Sequence, residues 1–214
     1  MAIKGSVGGN GGGNFEKKII PQGNHVARCY GMIEIGTVEE VIMGEKKQIH
    51  KILIDWELPN ETAVFKEENG EQPFVYSKDF TLSMNEKSNL RKMITAWTGK
   101  QMTDREAEAF DVTTLIGSSC MLNIVHNKSK DGTKTYANLA GVTPLPKGFA
   151  CPDQVNKSRC LEYDNWNQEL FMSLPAWLSD KICTSKEYKL KFSMPPKEQV
   201  SAKLDMVTDD GLPF

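Results

Sequence analysis

HVARCYGMIEIG, residues 25–36, changes character at every second position. Ala27, Cys29, Gly31, Ile33 and Ile35 fall on one side, small or apolar, and Val26, Arg28, Tyr30, Met32 and Glu34 on the other. A period of two is that of a half-buried β-strand. QIHKILIDWEL, residues 48–58, repeats the pattern, with His50, Ile52, Ile54, Trp56 and Leu58 as the core side and Lys51, Leu53, Asp55 and Glu57 opposite. A turn running from Gly36 to Gly44-Glu45-Lys46-Lys47 is expected to join these two strands. FVYSKDFTLSM, residues 74–84, is rich in aromatic and β-branched residues and reads as a third strand.

The period then switches. Across NEKSNLRKMITAWTG, residues 85–99, Leu90, Met93, Ile94 and Trp97 recur at helical spacing, and Gly99 provides a stop. A short helix follows, with Thr103 and Glu106 spaced as a capping box. SSCMLNIVH (118–126) and TYANLAGV (135–142) are two more strands, joined by a turn with Asp131-Gly132 at its tip. The order is three strands, a helix, then two strands in a hairpin. That is the order of a five-stranded OB-fold barrel, which binds oligonucleotides on its second and third strands and connecting loops. The fold class is therefore mainly β with helical insertions.

Outside the barrel, at about residues 20–145, three segments differ. Residues 1–14 are rich in Gly and Asn and read as a flexible arm. Its glycines precede no Gly-Lys-Ser/Thr, so it is no phosphate loop. Residues 165–182 form an amphipathic helical segment bent by Pro175, part of a helical cover over about 160–190 that completes a domain of residues 15–192. Residues 193–214 carry few apolar side chains before their end and read as a disordered acidic tail.

Charge alone does not announce a nucleic-acid binder, since 26 basic and 28 acidic residues give a net −2. The distribution qualifies this. The last ten residues hold Asp205, Asp209 and Asp210 without a Lys or Arg, so setting these three aside leaves +1 on the remainder. The N-terminus lacks the apolar core of a signal peptide, and no apolar run reaches the roughly 18 residues of a membrane span. The cysteines, five in all, show no CxxC pair, so reduced thiols in a cytoplasmic setting are expected. Cys151 and Cys160 with His126 are too widely spaced to resemble a zinc site, and no metal or cofactor is expected. Cys120 and His126 would sit six residues apart on one strand, too distant for a nucleophile and its base. Neither HExxH, GxSxG nor a P-loop occurs, so no catalytic residue is assigned.

Single-strand binding needs cations to follow phosphates and aromatic faces for unstacked bases. Arg28 and Tyr30 supply both on the outward side of the first strand, and Lys51 lies outward on the second. Tyr76 and Lys78 share a face of the third, while Lys128, Lys130 and Lys134 ring the last hairpin turn beside Tyr136.

The chain finishes on Asp209-Asp210-Gly211-Leu212-Pro213-Phe214. This closely resembles the C-terminal tip of bacterial single-stranded DNA-binding proteins, with Gly211 standing where that family usually has a third Asp. The strand order, the helical insert and the LPAWLSDKICTSKEYK stretch at residues 174–189 look more like phage-encoded single-stranded DNA-binding proteins. The resemblance implies a non-enzymatic protein that coats and protects single strands in phage DNA replication, recombination and repair. It also implies that Asp209, Asp210, Leu212, Pro213 and Phe214 dock on a helicase, primase, polymerase or recombinase. A single-strand annealing mediator and a phage structural or assembly protein without DNA affinity are the alternatives.

Overall fold

The computed structural model describes residues 18–193. The Gly-rich arm and the acidic tail, with the tip at Asp209–Phe214, lie outside the described residues. Within them the chain is mainly β. Two long strands, β1 (Gly23–Ile42) and β2 (Glu45–Val64), are followed by β3 (Glu71–Thr81). Helices α1 (Asn89–Thr98) and α2 (Asp104–Glu108) precede the hairpin of β4 (Ser119–Lys128) and β5 (Thr135–Thr143). A short β6 (Arg159–Leu161) and helices α3 (Gln168–Met172), α4 (Ala176–Cys183) and α5 (Lys186–Ser193) complete the described chain.

The strands form one sheet in the order β3-β2-β1-β4-β5, antiparallel throughout, with β6 added parallel to β1. No backbone ladder joins β3 to β5 among the described residues, so the sheet is open at those two edges. No helix among the described residues is long and apolar enough to cross a membrane.

The helical caps follow the sequence signals. Ser88 accepts a hydrogen bond from the Arg91 N–H at the start of α1, and Gly99 closes it at φ 68°. Thr103 and Glu106 form a reciprocal capping box on α2.

The two-residue period of β1 is interrupted. Bulges fall between Cys29 and Gly31 and between Glu34 and Gly36. Each inserts one unpaired residue and changes which face the next side chain meets. Ala27, Cys29 and Met32 therefore enter one core, while Ile33 and Ile35 enter another on the opposite face. The first core lies between the sheet and α1, where Ile52, Ile54, Trp56 and Leu58 meet Leu90, Ile94 and Trp97. The second lies between the β1–β2 pair and the C-terminal helices, where Leu53 meets Leu161, Phe171, Leu178 and Ile182. Between Val26 and Val38, β1 is largely buried on both sides, not half-buried.

The expected turn beginning at Gly36 is replaced by a tighter one. Strands β1 and β2 pair as far as Ile42 and Glu45, and only Met43 (φ 53°) and Gly44 (φ 83°) make the turn. Gly36, at φ 88°, instead marks the second bulge. A Cβ there would lie 2.7 Å from Glu187, 2.9 Å from Ser185 and 2.9 Å from Tyr163. Its lack of a side chain is what lets the helical cover approach the strand.

The same approach is fixed by a polar cluster. Glu187 of α5 accepts from the Thr37 N–H and hydroxyl, both at 2.6 Å, and His50 Nε2 lies 2.8 Å from Glu34. The hydrogen bond to Glu34 outweighs burial and raises the His50 pKa above its ordinary 6.5. Burial pushes Glu34 up, but hydrogen bonds from His50 and the Tyr163 N–H hold it below its ordinary 4.5.

Two outcomes follow. Gly36→Ala meets both an unfavourable φ, costing about 1–3 kcal/mol, and three side-chain clashes. Gly132→Ala, at φ 73° with open space around it, meets only the backbone penalty of about 1–2 kcal/mol. Urea unfolding is expected to show the larger loss at Gly36. The His50–Glu34 pair contributes fully between the two ordinary values. Its contribution is lost as pH rises through the raised histidine pKa, and as pH falls through the lowered carboxyl pKa. The melting-temperature gap between wild type and His50→Gln is therefore expected to be wider at pH ~5.5, below the ordinary histidine value, than at pH ~8, above it.

Candidate nucleic-acid interface

The outward face of β1 and β2, where Arg28, Tyr30 and Lys51 were expected to meet a ligand, is occupied by the chain itself. Residues 151–161 cross it as a strap. Asp55 and Glu57, both with no exposure, lie on this face of β2. Asp55 accepts from Arg159 Nη2 at 2.8 Å and from the Ser77 hydroxyl at 2.5 Å. Glu57 accepts from the backbone N–H groups of Val155 (2.9 Å) and Asn156 (2.7 Å), and from the Asn156 side chain. Buried carboxylates require such partners, and here the strap provides most of them.

The predicted residues divide accordingly. Arg28 donates to the carbonyls of Gly117 (2.8 Å) and Pro152 (2.9 Å), so its guanidinium holds the strap's start to the β4 entrance. Tyr30 is buried in the first bulge beneath the Arg159 guanidinium, 5.2 Å from its ring centroid, and burial pushes its hydroxyl up to about 12. Lys51 is buried between Glu40 and Asp79, which Lys181 of α4 also reaches. Burial disfavours its charge, yet these two carboxylates raise its pKa. Tyr30 and Lys51 are buried and Arg28 is partly exposed, and of the three only Lys51 reaches the wall of the larger groove at the β3–β5 edge.

Of the others, Tyr76, Lys78 and Tyr136 line the open edge between β3 and β5, while Lys128, Lys130 and Lys134 stand around the β4–β5 turn beside it and line neither of its grooves. Tyr76 is half-buried, and its hydroxyl accepts from the Leu139 N–H of β5 at 2.8 Å. This side chain spans the gap that the backbone leaves open. Lys78 lies two residues further along β3, its ammonium 5.7 Å from the Phe80 ring centroid. Lys128, Lys130, Lys134 and Tyr136 are exposed around the β4–β5 turn, Tyr136 to 47%.

Two grooves run in succession along this seam. One, of about 610 Å³, lies between Gln72–Ser77 of β3 and Thr135–Ala137 of β5, with Lys18, Phe65 and Phe74 in its walls. The other, of about 770 Å³, lies between Lys78–Thr81 and Leu139–Val142, and reaches Lys87, Ser88 and Lys92 at the start of α1. Asp79 is the one carboxylate lining either groove, and it is already shared by Lys51 and Lys181. No ion pair among the described residues uses Lys78, Lys87, Lys92, Lys128, Lys130 or Lys134. The seam thus combines free cations with exposed rings: Phe65, 41% exposed and edge-on to Phe74 at 5.1 Å, and Tyr136.

Phe65, Phe74, Lys18, Lys87 and Lys92 were not singled out from the sequence. They are scattered along the chain, and only the meeting of the β3 and β5 edges assembles them. The lone hint was Lys87 and Lys92 flanking the predicted helix start.

The thiols remain separate from this site. All five cysteines are free, His126 hydrogen-bonds the Ile20 carbonyl, and no group of three or more His, Cys, Asp or Glu among the described residues is placed to hold a metal ion.

The sequence matches no protein-family model and no curated protein.

Proposed function

We propose that the protein binds single-stranded DNA without sequence preference along the β3–β5 seam, and performs no chemistry of its own. The observation that carries this reading is the pairing of unneutralised lysines with exposed aromatic rings in two successive grooves almost free of carboxylates. Phosphates need the first, unstacked bases the second, and a nearby carboxylate would repel the phosphates. The strand order makes β3 and β5 the edges that an OB-fold barrel brings together, and the Tyr76 hydroxyl spans them. On this reading the fold is an OB-type barrel with an unzipped seam.

The biological setting we infer is phage DNA replication and recombination in the cytoplasm of a bacterial host. The tail tip, Asp209–Phe214, then serves as a ligand for a replication or recombination enzyme. Its apolar end enters a pocket, and Asp209 and Asp210 meet a basic rim.

Fluorescence anisotropy with oligo-dT, scanned over salt, tests the DNA reading. Binding is expected to weaken with salt, and replacing Lys128, Lys130 and Lys134 together by Ala is expected to lower the log–log slope by about 2, at about 0.7 per phosphate contact. Tyr136→Ala and Phe65→Ala are each expected to cost about 1–3 kcal/mol of binding. Absence of binding at low salt refutes the proposal and favours an assembly role.

Deleting Asp209–Phe214 is expected to tighten DNA binding slightly, by removing carboxylates that compete for the seam, and to abolish capture of the partner enzyme. Undiminished capture would assign recruitment to another surface.

A further inference from the structure

A third cavity has the opposite charge. It has a volume of about 310 Å³, and Met32, Ile52, Leu82, Phe110 and Leu161 are among its apolar walls. Its polar lining includes Glu34, Asp111, Glu162 and Asp164, and contains no Lys or Arg. Among the described residues, no Lys or Arg forms an ion pair with any of these four carboxylates. Phosphates would be repelled here, so this is not an extension of the DNA site.

Helix α5 has the complementary chemistry. Lys186 and Lys189 are exposed and enter no ion pair among the described residues, and Leu190 beside them is 67% exposed. The helix adjoins the pocket on the same protomer. Lys191 Nζ donates to the Tyr163 carbonyl at 2.7 Å, the Tyr163 N–H donates to Glu34 at 2.9 Å, and Asp164 follows in the rim. Helix and pocket are therefore neighbouring halves of one surface. Leu190 faces solvent and does not line the pocket of its own chain, so its apolar end is left for the pocket of a second copy related by a two-fold axis. Both contacts then form at once, as an isologous interface requires.

We infer that this surface joins two copies of the chain, with Leu190 of each entering the acid-rimmed pocket of the other and Lys186 and Lys189 meeting Glu162 and Asp164. The inference is independent of the DNA reading.

Sedimentation of the full chain without DNA, from about 1 μM to about 1 mM, spans the range of weak to moderate association. A monomer–dimer equilibrium is expected. Leu190→Glu is expected to raise the dissociation constant at least tenfold, with circular dichroism unchanged because the side chain is exposed. Lys186→Glu with Lys189→Glu weakens the dimer, Glu162→Lys with Asp164→Lys weakens it likewise, and combining the four restores it. A monomer throughout the range overturns the inference, as does a dimer indifferent to all these variants or an assembly that grows beyond two. Anisotropy with oligo-dT on the Leu190→Glu variant reads the DNA site separately.

Discussion

Two carboxylates on one strand govern the outer half of this molecule. Asp55 and Glu57 stand on the same face of β2 and are fully enclosed. A buried carboxylate left unpartnered costs several kcal/mol, far more than most single contacts return. The strap meets that demand with the Arg159 guanidinium and the N–H groups of Val155 and Asn156. Once the strap is seated, β6 can pair with β1, and the chain is delivered to the point where α3–α5 begin. The second core, with Leu178 and Ile182 against Ile33 and Leu53, depends on that delivery.

The same demand moves the candidate ligand site. The outer face of the early strands, where the sequence pattern puts a ligand, is filled by polypeptide. Arg28, Tyr30 and Lys51 have been drawn into holding that cover: Arg28 clamps carbonyls, Tyr30 lies under a guanidinium, and Lys51 completes a cluster with Glu40, Asp79 and Lys181. Free cations and rings are left at the β3–β5 edge. A sheet closed by a continuous ladder would have no such edge, so the open seam and the relocation of the site belong together.

Much of this architecture was legible in the chain. Leu90, Met93, Ile94 and Trp97 announced α1 by their spacing, Thr103 and Glu106 announced the cap of α2, and Ile52, Ile54, Trp56 and Leu58 announced the core side of β2. These signals are local, so a single stretch carries them whole. What escaped was set by distant partners. The bulges in β1 exist because strand and cover must fit each other, and residue 36 reads as a turn glycine until Ser185 and Glu187 are seen against it. Lys51 reads as outward because its parity is right; nothing near it in sequence says that a helix 130 residues later will lie over it. The reading of the tip at Asp209–Phe214 rests on sequence alone, since it lies outside the described residues.

Strand β1 also imposes an order of events on synthesis. It pairs with β2 next door, with β4 about a hundred positions on, and with β6 later still, at Arg159–Leu161. Contacts between distant segments form slowly, because loops must close before pairing rewards them. The β1–β2 hairpin can close early, but its outer face, with Ile33, Ile35 and Leu53, stays bare until the C-terminal third has left the ribosome. A growing chain thus carries an uncovered apolar sheet through most of translation, relieved on that face by the buried-to-be charges of Lys51, Asp55 and Glu57. The residues that later demand the strap are, for that interval, among the charges that favour solvent over contact with another chain.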